Sequence, residues 1–299
     1  MKRKLIKQGN NAFTVTLPVK WIRGNNLKAG SEIDIAEEKN KLVIEPKGKP
    51  KLTKQEVTID EHSYDFIRRI LTNSYKKGID ELKLVFKKDI PLDIINNSLS
   101  ELTIGYEVTD VTKNHCIIKS FSSAEGENIE ISIRKCFFLI RDMNQIILED
   151  IQSRKFTHQE KIGALNANVR KLTNYAIRTS TKTIKDAVEV QYNSKIFSNL
   201  YLFSIKLSYI YSYLRGAKRT SPSTKQILDK LFELFEIFYD SYYKKNLDTA
   251  HKFLLRKNAF VKNLDQNITK GDGKVLLQAG MAMRCLHDSI GAVIGLIIH

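Results

Sequence analysis

Cysteine is scarce in this chain of 299 residues. Cys116, Cys136 and Cys285 stand far apart, are odd in number and form no C-x-x-C pair. That argues against a disulfide framework or a zinc-ribbon site, and the three read as semi-buried thiols of a reducing compartment. Proline is limited to five residues, and beyond residue 128 only Pro222 occurs, so long helices can run there uninterrupted. No apolar run approaches the roughly 20 residues of a membrane span. The most apolar, 290–298, follows Arg284, His287 and Asp288 and reads as a buried terminal helix. No apolar run follows the basic opening residues, so neither a leader nor membrane insertion is expected. The six histidines, His62, His115, His158, His251, His287 and His299, show no metal or catalytic spacing. Walker, dinucleotide, nucleophile-elbow and zinc-protease motifs are all missing, and no enzyme activity is expected.

Acidic residues are missing from one place in particular. Residues 1–30 contain Lys2, Arg3, Lys4, Lys7, Lys20, Arg23 and Lys28 but no Asp or Glu. The whole chain carries a formal charge of +16. Such a balance favours a polyanionic partner, and an uncompensated block at one end points to double-stranded DNA more than the total does.

The texture of the sequence changes twice, predicting domains over 1–48, 53–122 and 127–299. The first reads as short strands and turns: a turn at 9–11, a β-rich run at 13–17 ending at Pro18, and a short helix over 19–23. Strands over 32–35 and 42–44 follow, joined by a hairpin at 39–41. Residues 46–50 read as a linker. The second domain reads β-α-β-α-β-β, a small α/β unit with helices on one face of a sheet. Its first helix, 63–77, carries Phe66, Ile70 and Leu71 as apolar positions and ends at Gly78; its second, 91–102, begins at Pro91. Residues 122–128 form a second linker.

Six helices are expected beyond it, at about 129–152, 158–187, 193–216, 223–244, 247–265 and 273–298. Ile162, Leu165, Val169, Leu172 and Ala176 form one apolar stripe, and Ile196, Leu200, Phe203, Leu207, Ile210 and Leu214 another. A break near 216–224 divides the helices three and three. Lys171, Arg178, Lys182 and Lys185, with Arg215, Lys218 and Arg219 at the break, read as solvated charge. Tyr209, Tyr211, Tyr213, Tyr242 and Tyr243 read as packing residues. The fold class is multidomain α+β.

A domain of about 46 residues without disulfide or metal buries too little apolar surface to stand comfortably alone, and a second copy is the physical remedy. The residues themselves carry a resemblance. Arg3-Lys4-Leu5-Ile6-Lys7-Gln8-Gly9, Thr14-Val15-Thr16-Leu17-Pro18, Trp21, Leu27-Lys28-Ala29-Gly30-Ser31-Glu32-Ile33-Asp34-Ile35 and Leu42-Val43-Ile44 together resemble a SpoVT-AbrB domain. The resemblance implies a swapped-hairpin homodimer that binds DNA. Where that family often has an arginine after the first glycine turn, this chain has Ala12 and Phe13. DNA contacts would then fall on Lys2, Arg3, Lys4, Lys7, Lys20 and Arg23.

The order of parts, with Tyr75-Lys76-Lys77-Gly78-Ile79-Asp80-Glu81-Leu82 and Arg284-Cys285-Leu286-His287-Asp288, resembles the archaeal PhoU-like regulators. That resemblance implies a pair of three-helix bundles, a cytoplasmic transcriptional regulator linked to phosphate uptake, and a phosphate transporter subunit or sensor protein as a further partner. It also implies a divalent metal site, for which the acidic stripe Asp229, Glu233, Glu236 and Asp240 is the candidate; such a stripe otherwise reads as a solvated helix face. The alternative is an adaptor that does not bind DNA. In it the helices dock on the transporter and the small domain only dimerises.

Overall fold

A computed structural model describes residues 2–9, 11–38, 41–47, 52–60, 63–121, 129–184, 186–217, 220–268 and 272–299. The centre of the expected 39–41 hairpin, most of both linkers, and Lys185, Lys218 and Arg219 lie outside the described residues. The chain forms two compact units, 1–51 and 52–299.

The first unit consists of two hairpins and a short helix. Strands β1 (Ile6–Gln8) and β2 (Ala12–Thr14) pair antiparallel with Ile6 opposite Thr14. Gly9, at φ 71°, supplies the left-handed residue that a tight turn needs. The β-rich run ends as strand at Thr14, shorter than the expected 13–17, because Val15 to Leu17 find no partner strand among the described residues. Helix α1 (Val19–Gly24) starts directly after Pro18. Strands β3 (Ile33–Glu38) and β4 (Lys41–Pro46) form the second antiparallel hairpin.

The second unit begins with a sheet of order β5-β6-β8-β7, from β5 (Lys54–Ile59), β6 (Glu81–Phe86), β7 (Tyr106–Val111) and β8 (His115–Ser120). β5 and β6 run parallel, joined by helix α2 (Tyr64–Lys76), and the other pairs are antiparallel. Helix α3 (Leu92–Leu102) links β6 to β7. Alternate residues Leu82, Leu84 and Phe86 of β6, with Cys116 and Ile118 of β8, turn to one face. There they pack against Ile67, Leu71 and Tyr75 of α2 and Ile95 and Leu99 of α3. The core face of α2 is rotated from the expected one: Leu71 lies on it, Ile70 only flanks it and Phe66 is exposed. Ile67 takes that place because α2 meets the sheet along its 67–71–74–75 edge.

Six long helices follow: α4 (Ile129–Ser153), α5 (Gln159–Thr183), α6 (Ala187–Gly216), α7 (Pro222–Lys244), α8 (Leu247–Asn267) and α9 (Gly273–Ile298). Their starts are set locally. Asp186 caps α6, Ser221 caps α7 with Pro222 in its first turn, and Asn246 caps α8. Every residue of the 196–214 stripe is buried, and so are Ile162, Val169 and Ala176, with Leu165 and Leu172 at the margin. One continuous apolar core draws on all six helices, with α6 and α9 packed along each other across its middle. Among the described residues, α9 has the length and composition of a membrane span. In this fold its Leu286, Ile290 and Val293 lie inside the core.

Candidate nucleic-acid interface

Among the described residues the first unit has no interior of its own. None of its described side chains is buried. Leu5, Phe13, Ile35 and Leu42 expose 70%, 64%, 60% and 68% of their surface. Two-stranded hairpins with one apolar side are marginal in water, and their stable form needs another layer over that side. Trp21, Ile22 and Leu27 are only half-covered.

The basic side chains share the unit with this apolar surface. Lys2, Arg3 and Lys4 precede β1, and Lys7 lies within it, opposite Phe13. Lys20 and Arg23 stand three residues apart on α1, on one helical face. All six are exposed, and among the described residues none forms an ion pair. The acids of the unit begin at Glu32, which Lys47 engages at 2.5 Å. The arrangement offers free cations that can neutralise phosphates and release counter-ions.

The acidic stripe on α7 is placed differently. Asp229, Glu233 and Glu236 lie exposed, and Asp240 half-buried, on the side away from the core. Glu236 accepts hydrogen bonds from Arg141 of α4 at 2.8 and 3.1 Å, Asp240 pairs with Lys244 at 2.9 Å, and Glu233 faces Arg256 at 3.8 Å. Among the described residues no three His, Cys, Asp or Glu side chains come together as metal ligands would. Three of its four carboxylates, Glu233, Glu236 and Asp240, thus face cations from two neighbouring helices and from α7 itself.

Three basic residues of α5 are engaged by groups of the small α/β part rather than left as free charge. Arg178 is buried. It donates to the carbonyl oxygens of Tyr75 at 3.0 Å and Ile79 at 2.7 Å, and to Asp80 Oδ1 at 2.8 Å. Its guanidinium lies over the Tyr75 and Tyr106 rings. Lys182 Nζ also donates to Asp80, and Lys171 donates to the Ser100 carbonyl. Asp80 Oδ2 accepts from the Thr53 amide at 2.9 Å, where the second unit begins. Burial raises the Asp80 pKa. Hydrogen bonds from Lys182 and Thr53, with the charges of Lys182 and Arg178, outweigh it and hold the carboxyl below its usual range. This network fastens α5 to the small sheet. A spacing pattern along one helix could not show it, because its anion comes from a turn about a hundred residues earlier. A second buried carboxylate, Asp150 of α4, accepts from Tyr211 of α6 at 2.5 Å and faces His158 Nδ1 at 3.0 Å.

Residues 6–52 match the family model described as antidote-toxin recognition MazE, bacterial antitoxin. The match supports a swapped-hairpin DNA-binding domain at the N-terminus. It does not reach the helical region, so the PhoU-like reading of that region rests on no comparison. No curated protein and no solved structure matches the chain. The N-terminal segment is similar to a MazE-type antitoxin domain, which is consistent with a DNA-binding regulator or an antitoxin.

Proposed function

We propose that this chain is a DNA-binding regulator that works as a homodimer. Two copies of residues 1–51 bury the apolar side of their hairpins against each other and carry Lys2, Arg3, Lys4, Lys7, Lys20 and Arg23 to the phosphates of one duplex. The observation that carries the reading is the coincidence of exposed Leu5, Phe13, Ile35 and Leu42 with a basic block that has no ion-pair partner among the described residues. Lone cations beside an uncovered apolar face suit a unit whose interior is a partner copy and whose ligand is a polyanion. The match of residues 6–52 supports the same reading.

The helical region then serves as a sensory or partner-binding part of a cytoplasmic regulator. A ligand or protein can shift DNA binding through it only by preferring one of two states. A link to phosphate uptake rests on the PhoU-like resemblance alone.

The test is duplex binding across a salt series, by the intact chain and by a chain lacking residues 1–51. The intact chain should bind with an affinity that falls with salt by a log–log slope of about −0.9 for each phosphate contacted. The truncated chain should lose nearly all of that binding. Equal binding by both would remove the small unit from the mechanism, and no binding by either would favour the transporter-docking adaptor. The family description favours a second reading, in which the same chain is an antidote that pairs with a toxin protein.

A further inference from the structure

A cleft of about 350 Å3 opens in the second unit between α2, the end of α3, α5 and α6. Arg68, Arg69 and Lys76 line it from α2, and Arg170 from α5. Leu102 and the Tyr201 ring give it an apolar side. Two carboxylates oppose these four cations. Glu101 is shared between Arg68, at 2.8 Å, and Arg170, at 3.6 Å, and Asp65 is among the residues lining the cleft. Arg69 and Lys76 have no carboxylate within ion-pair distance among the described residues. Lys76 is half-buried, and that burial lowers its pKa. The Arg170 Nε is also buried without a hydrogen-bond partner among the described residues. The cleft therefore holds a surplus of two positive charges, of which Arg69 is exposed and Lys76 is partly removed from water. A half-buried charge without a counter-charge is costly, and an anion in the cleft would offset it.

We propose that this cleft binds a small phosphomonoester dianion. The second proton of a phosphomonoester leaves near pH 6, so its charge near neutrality is close to −2 and matches the surplus. Guanidinium forks fit phosphate oxygens in pairs, and the Lys76 ammonium adds a point charge. The volume holds a phosphate with a small organic body, which would rest on Leu102 and Tyr201. A monocarboxylate offsets one charge of the two. The phosphodiesters of a nucleic acid carry one charge each, half of what the surplus calls for. This inference is independent of the DNA-binding reading.

The experiment is calorimetric titration of the full chain with glycerol 3-phosphate, inorganic phosphate and dimethyl phosphate at constant ionic strength. Saturable binding of glycerol 3-phosphate or inorganic phosphate is expected, with the stronger of the two identifying the source, and dimethyl phosphate at least about tenfold weaker. Arg69→Gln and Lys76→Gln, which break no ion pair among the described residues, should each weaken the monoester about tenfold or more with ellipticity unchanged. Lys77→Gln, an exposed neighbour that does not line the cleft, should leave it unchanged. No saturable heat from either dianion up to about 10 mM would overturn the proposal, as would equal binding by the variants. Loss of duplex affinity in the two variants without any monoester binding would also overturn it and make the cleft a nucleic-acid contact.

Discussion

Asp80→Asn takes one charge out of a site built around it and leaves two cations behind. The side chains of Arg178 and Asp80 keep only 4% and 8% of their exposure, so neither can be rehydrated without opening the joint between α5 and the sheet. The amide can still accept from the Thr53 N–H, which keeps β5 in place and makes the loss electrostatic. Lys182, 23% exposed, can turn to water. Arg178 cannot, because two carbonyls and two aromatic rings hold it. Removing one partner of a buried pair costs about 3–5 kcal/mol, and the two carbonyl bonds left to Arg178 put the expected loss near the lower end, at about 3 kcal/mol. With a urea m-value of about 3 kcal/mol/M, the midpoint should fall by about 1 M.

The readout must be helix ellipticity. The single tryptophan, Trp21, belongs to the other unit, whereas the joint is built between helices and sheet of the second. The double variant Asp80→Asn/Arg178→Met should recover at least half the loss, because an apolar side chain of similar reach leaves no charge stranded. The pH dependence has a fixed sign. The folded Asp80 carboxyl sits below its unfolded value of 3.8, so its contribution is complete above that value and disappears as pH falls through the folded pKa. The gap between wild type and Asp80→Asn should therefore be full at neutral pH and narrow in acid. A loss under about 1 kcal/mol at neutral pH, the magnitude of an exposed pair, would refute the reasoning.

Phe13→Asp and Ile35→Asp should each leave a folded helical region but a monomeric chain by light scattering, with duplex binding lost alongside the dimer. Lys20→Ala with Arg23→Ala should weaken binding to all duplex sequences alike and flatten the salt dependence by about 0.9 for each phosphate no longer neutralised. Gly295→Ala should destabilise the bundle by about 1–3 kcal/mol, measured by ellipticity in urea, since the new methyl would lie 2.5 Å from the Tyr192 ring. Tyr211→Phe should cost about 1–3 kcal/mol in the same assay, because Asp150 stays buried with one donor fewer.

Much of the helical region was legible from spacing alone. The stripe from Ile196 to Leu214 repeats at three and four, and any helix with that stripe must turn it inward; all six residues are buried. The starts of α7 and α8 fall at Ser221-Pro222 and Asn246, because capping is a local matter of one side chain and the next turn. Phe66 shows the limit. Its place on α2 was equally compatible with the core, and only the approach of the sheet decided that Ile67 would take it.

The sequence by itself determined the basic block, because charge composition needs no fold. Its periodicity beyond residue 128 gave the expectation of six helices, which the described residues form, and the small apolar content of the first unit gave the expectation of a partner. Only the tertiary structure decided which charges are spent and which are free. It drew Arg178 and Lys182 onto Asp80, and set Arg141 and Arg256 against the stripe on α7. It left Arg69 and Lys76 in a cleft with no carboxylate within ion-pair distance of either among the described residues. The reason is that an ion pair depends on distance and burial. Residues about a hundred positions apart have no distance until the chain has folded.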